Sequence, residues 1–130
     1  MKRRDFITLL GGAAAWPLAA RLATALDYPT RPVRIIIGFP TGTTADIVAR
    51  LLGQWLSERL GQPFLIENRP GAASTIATEV VVRAPADGHT LRCITPANPI
   101  SIAVYDKLNY DFLRDIVPIA GISRGPLVMV

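Results

Sequence analysis

Residues 39–50, FPTGTTADIVAR, join two different kinds of sequence, and this junction decides the fold. Upstream, Val33 to Phe39 (VRIIIGF) is a short β-branched apolar run of the kind that forms a buried strand. Downstream, Ala45 to Leu60 places Ile47, Val48, Leu51, Leu52, Trp55, Leu56 and Leu60 at three- and four-residue spacings. That is one helical stripe, on which Trp55 is expected to be a core residue. Gly61 is placed to cap this helix and Pro63 to block its continuation. The link between the two, Pro40, Thr41, Gly42, Thr43 and Thr44, is small and rich in hydroxyls, with Asp46 just inside the helix.

The same alternation continues along the chain. Pro63 to Asn68 (PFLIEN) reads as a second strand and RPGAAS as a turn. TIATEVVVRA follows as a second helix, with Ser74 available to cap its start and Pro85-Ala86-Asp87-Gly88 turning the chain after it. The three consecutive valines oppose helix by propensity. HTLRCIT is a third strand, residues 96–107 a short helix, and LNYDFLRD a connector. Ile116 to Ile122 and Pro126 to Val130 read as further strands. The order β-α-β-α-β-α-β predicts a mostly parallel sheet flanked by helices, an α/β fold. Because LVMV ends the sequence on an apolar run, the chain is expected to be the front portion of a longer one.

In open α/β sheets, ligands bind beyond the carboxyl ends of the strands. Helix N-termini there present unpaired N–H groups and partial positive charge, which suits an anion. TGTTAD meets this need at the first loop and GAAST (71–75) at the second, while TPANP (95–99) brings Asn98 from the third. Converging loops of this kind hold a carboxylate by neutral donors. The alternative is plain capping, with Thr43 at the N-cap and Asp46 three residues on as its box partner. Asp46 has no partner acid, histidine or nucleophile nearby in sequence, so a cap is favoured over a general base. Gly38 and Gly42 make no dinucleotide fingerprint, and no Lys-Ser/Thr follows as in a P-loop.

The charge of +4 over 130 residues is concentrated at the start. Residues 1–25 hold four of the fourteen basic residues and one of the ten acidic ones; ten and nine remain, a net +1. Nucleic-acid binding is therefore not indicated. MKRRDFITLL opens with a charged segment, Phe6 to Ala20 is uncharged, and Ala23-Thr24-Ala25 forms a small-x-small cleavage pattern. KRRDFI resembles a twin-arginine export motif. Fifteen uncharged residues broken by Gly11, Gly12 and Pro17 fall short of the ~20 that span a bilayer, so a leader cleaved after Ala25 is expected, not an anchor. Cys93 is the single cysteine and His89 the single histidine. Cys93 reads as packed core, and neither a metal site nor a cofactor is expected.

YPTRPVRIIIGFPTGTTADIVARLLGQWLSERLGQPFLIENRPGAAS strongly resembles the start of the mature substrate-binding proteins of tripartite tricarboxylate transporters, the Bug or TctC-like family. ADGHTL and YDKLNYDFLRDIVPIAGI continue the likeness, which runs from Asp27 to Val130. The resemblance implies a periplasmic-binding-protein-like fold of type II, two α/β domains closing on a small organic acid, with only the first part of domain 1 represented here. It also implies a periplasmic location and ligand carboxylates held largely by backbone amides and bridging waters. On this resemblance Pro40, Thr41, Gly42, Thr43, Thr44 and Asp46 occupy the first ligand loop and Ala72 to Thr75, with Ala73, Ser74 and Thr75 as candidate contacts, the second; Phe39 at the start of the first loop and Asn98 from the third loop complete the candidate site. Where the family usually has glycines, this chain has Thr43, Ala73 and Ala77; their Cβ atoms are expected to narrow the pocket or disfavour positive φ.

The domain reading is thus a leader at 1–25 and the N-terminal portion of a solute-binding domain at 26–130. The function implied is capture of a small carboxylate for a membrane transporter, weak in this portion alone because one wall of the cleft is represented. A sensing module acting on a membrane sensor, or a non-functional relic, are the alternatives. An enzyme is not expected, since no nucleophile, base and metal converge. The full-length protein is expected to be monomeric.

Overall fold

The computed structural model describes residues 27–105 and 107–124. The expected leader at 1–25 and the strand expected at 126–130 lie outside the described residues. Three parallel strands form one sheet in the order β2-β1-β3: β1 is Val33–Ile37, β2 Phe64–Asn68 and β3 Thr90–Cys93. The helices are α1 (Thr44–Leu60), α2 (Thr75–Val82), α3 (Ala97–Val104) and the short α4 (Phe112–Asp115).

β1 is the central strand of this sheet, and apart from Arg34, which pairs with Glu67 of β2, it is apolar. Val33, Ile35 and Ile37 share one face with Ala49 of α1, Phe64 and Cys93, while Ile36 is buried on the other. A strand covered from both sides needs such a run, not an alternation. Burial pushes the Cys93 thiol up, in keeping with a packed residue.

α1 closes at Gly61, which takes the left-handed conformation (φ 72°) and donates its N–H to Ser57 O. The Ser57 hydroxyl donates to Gly53 O (2.7 Å) and accepts from the Phe64 N–H (2.9 Å), so the end of α1 is tied to the start of β2. α2 forms despite its valines. Ala77 and Thr78 are fully buried there, and tertiary packing outweighs a propensity difference of a few tenths of a kcal/mol per residue.

Three expectations are corrected. Trp55 is not core: it is 49% exposed, with the Arg59 guanidinium 4.8 Å from its ring centre. α1 packs through Asp46, Ala49 and Gly53, which leaves Ile47, Leu51 and Trp55 on the outside. Small residues allow close helix–sheet approach, and the spacing of large ones does not say which flank is covered. Residues 116–122 form no strand. Val117, Ile119 and Ile122 are exposed, because an apolar run makes a strand only where a neighbour completes its hydrogen-bond ladder. LNYDFLRD is not a plain connector, since Asp111 caps α4 by accepting from the Leu113 and Arg114 N–H groups (both 3.1 Å).

Candidate functional site

Parallel pairing brings the carboxyl ends of all three strands to one edge of the sheet, and the loops leaving them lie together. The first loop runs from Gly38 to Thr43. Phe39 packs on the core, while Pro40, Thr41, Gly42 and Thr44 are exposed. Thr43 precedes α1 with extended backbone but does not cap it. Its hydroxyl donates back to Pro40 O (3.0 Å), so the first N–H groups of α1 receive no side-chain acceptor from it.

Asp46 shapes this loop from beneath. It is 1% exposed, and its carboxylate accepts from the Gly42 N–H (2.9 Å), Arg50 Nε (3.0 Å) and Asn68 Nδ2 (2.9 Å). Arg50, Gly42 and Asn68 together hold its carboxyl well below the usual carboxylate range. A carboxylate saturated in this way is ionised and turned inward. Its reach back to Gly42, and not to Thr43, corrects the expected Thr43–Asp46 capping box by one residue.

The second loop is conformationally unusual. Ala72, Ala73 and Ser74 have φ of 45°, 48° and 75°, following Gly71 at 133°. Left-handed backbone costs a residue with a Cβ about 1–2 kcal/mol, and such residues persist where their surroundings over-determine them. The backbone thus takes positive φ at Ala73, a position where the resemblance implies glycine. Ser74 does not cap α2 through its side chain. Its hydroxyl is buried and accepts from Asn98 Nδ2 (3.2 Å) and from Arg92 Nη2. Thr75 Oγ1 donates to Ala72 O (2.8 Å) and Ser101 Oγ to Ala73 O (3.0 Å), pinning the turn from both sides.

The third loop is closed by Asn98, whose Oδ1 accepts from the Thr95 N–H (2.8 Å). Gly38 is the point where the first and second loops touch: a Cβ there would lie 1.7 Å from Ser74 Oγ. The structure therefore brings Gly38, Ser74 and Asn98, one residue from each loop, to a single buried point. It turns Asp46, Ser74 and Asn98 inward and leaves Thr41, Gly42, Thr44 and Ala73 at the surface. Three helix N-termini without a side-chain cap from the N-cap residue, those of α1, α2 and α3, face this edge. Such an edge attracts an anion through N–H groups and helix dipoles.

Asn68, Gly38 and Arg92 were not singled out by sequence reasoning. A signal existed for Arg92, a charge inside an otherwise apolar strand, and for Asn68, a polar residue closing one.

Residues 48–130 match the family described as the tripartite tricarboxylate transporter family receptor. The chain belongs to this family. Protein BugT of Bordetella pertussis is 33% identical over 132 residues, which cover 100% of this chain and 40% of that protein. The chain spans about two-fifths of the length of the curated relatives it matches. Among solved structures, the periplasmic binding protein BugD is 40% identical with a TM-score of 0.48, over 50% of this chain and 22% of that one. A protein of R. palustris with adipate is 45% identical with a TM-score of 0.49, over the same shares.

Proposed function

We propose that this receptor-family chain supplies one side of a cleft that captures a small organic acid in the periplasm for a tripartite tricarboxylate-type transporter. The observation that carries this reading is the convergence of three βα loops whose helix N-termini lack a side-chain cap and whose surface residues are small. The ligand's carboxylate is met by backbone N–H groups at the starts of α1 and α2, with the exposed Thr41 and Thr44 hydroxyls as further donors, while Thr75, buried and donating to Ala72 O, holds the second loop. Phe39, Pro40, Gly42, Thr43 and Ala73 give the loops their shape and allow close approach. Asp46, Ser74 and Asn98 serve the site from below, by fixing the loops, and do not contact the solute.

On this reading residues 1–25 are a cleaved twin-arginine leader and 26–130 the N-terminal portion of the first α/β domain. Residues 26–130 present one wall, and a ligand buried on one side binds weakly. Calorimetry on residues 26–130, and on a chain extended to the full length of the relatives, against a panel of dicarboxylates including malate and adipate tests this. Tight binding by the extended chain alone supports the reading. Tight, stoichiometric binding by residues 26–130 contradicts the one-wall account, and no binding by either removes the carboxylate reading.

A further inference from the structure

Arg92, in β3, has no role in the proposed binding site. It lies on β3 opposite Ile36 of β1, on the face that α2 packs against. Its Nη1 donates to Ile36 O (3.2 Å), and its Nη2 donates to Ser74 O (3.1 Å) and to the Ser74 hydroxyl. Its Nε is buried without a partner, and among the described residues no carboxylate lies within ion-pair distance of the guanidinium. Burial pulls its pKa down to about 10, so it remains a cation at neutral pH. A half-buried cation with no acid beside it is unfavourable, and an apolar side chain is the ordinary solution at such a position.

What the guanidinium does instead is grip Ser74 at two points, main chain and side chain. Ser74 is the last of three consecutive residues carrying a Cβ at positive φ, and α2 starts immediately after it. Asn98 and Ser101 hold the same turn from α3 with neutral groups. Arg92 contributes the charged, and hence stronger, hydrogen bonds.

We propose that Arg92 is a positioning residue of the carboxylate site, holding the Ala72–Ser74 turn in its left-handed form so that the start of α2 faces the ligand edge. The inference rests on the proposed carboxylate-binding function for its consequence, but not for its geometry. Arg92 acts through Ser74 and touches no solute.

The test uses Arg92→Met and Arg92→Lys, each alone and combined with Ala72→Gly and Ala73→Gly. Hydrogen exchange is followed by mass spectrometry on the ligand-free chain, together with the affinity of the extended chain for succinate. Arg92→Met is expected to speed exchange of the residue 72–77 amides roughly ten- to a hundredfold, the worth of a charged hydrogen bond. Exchange in β1 stays unchanged. Arg92→Lys falls between, and the two glycines recover part of the lost succinate affinity because they take positive φ without strain. Unchanged exchange at residues 72–77, or an equal rise there and in β1, overturns the proposal. Should Arg92→Met not fold, Arg92→Lys settles the same point from the ratio of the two regions. If the unsubstituted extended chain binds no carboxylate, the functional reading falls, while the exchange pattern still decides the role of Arg92.

Discussion

The side-chain amide of Asn68, at the end of β2, donates to the Asp46 carboxylate (2.9 Å) and to the Phe39 carbonyl (3.0 Å). The end of one strand thereby holds the turn that leaves its neighbour. Arg50 closes the arrangement by donating from Nη2 to Asn68 Oδ1 (3.1 Å). Asn68→Ala strips partners from a buried carboxylate and a carbonyl, and is expected to cost about 1–3 kcal/mol. Urea denaturation measures it; a loss well under that range means the amide does not hold the loop.

Acid is expected to destabilise the domain largely through Asp46. Its folded pKa is depressed, so its contribution is fully present above the unfolded-state value and is lost as pH falls below the ordinary carboxylate range. Glu67, lowered first by Arg34, and Asp87, lowered first by the His89 N–H, act in the same direction. Asp46→Asn should be less stable at neutral pH and show a flatter dependence on acidification. Denaturation midpoints taken at neutral pH and in steps into the acid range check this. A slope equal to that of the unsubstituted chain assigns the acid sensitivity elsewhere.

The left-handed turn makes Ala73→Gly a stabilising substitution. Relief of about 1–2 kcal/mol of backbone strain exceeds the ~0.5–1 kcal/mol that glycine costs in chain entropy. A net gain of up to about 1.5 kcal/mol is expected in thermal or chemical unfolding. Destabilisation instead would show that residue 73 does not occupy positive φ.

Gly38→Ala acts in the opposite direction. The new methyl would fall 1.7 Å from Ser74 Oγ, 2.6 Å from Ser74 Cβ and 2.7 Å from Arg92 Nη2, in a buried place. Overpacking of this kind costs about 1–3 kcal/mol. Combining it with Ser74→Gly should recover part of the loss, and strictly additive effects would show that the two loops do not meet there.

Trp55 offers a check on the placement of α1. With its ring on the outer side of the helix, Trp55→Gln should cost no more than about 1 kcal/mol, chiefly the contact with the Arg59 guanidinium. A loss of several kcal/mol would return Trp55 to the core, where the apolar stripe alone had put it.

The path from sequence to site was legible in some places and closed in others. The β-branched run, the helix of α1 and the Gly61–Pro63 stop are local patterns and each formed, although the strand ends at Ile37 and not at Phe39, and Trp55 of the apolar stripe faces outward. The convergence of loops also follows from strand order, because parallel βα units put their turns at one edge. Capping was less legible. Thr43 and Ser74 have the right chemistry to cap helices, yet one hydroxyl turns to Pro40 and the other to Arg92 and Asn98. Short polar side chains have several partners within reach, and only the three-dimensional neighbourhood selects among them.

What the sequence by itself determined is the βα alternation, the parallel sheet and the small, hydroxyl-bearing edge, because these depend on residue type and spacing along the chain. The tertiary structure alone decided that α1 packs through Ala49 and Gly53, that Asp46 is locked by Asn68, and that Arg92 grips a strained Ser74. Those pairs lie far apart in sequence, and a hydrogen bond or a close contact between them exists only once the strands have set the distance.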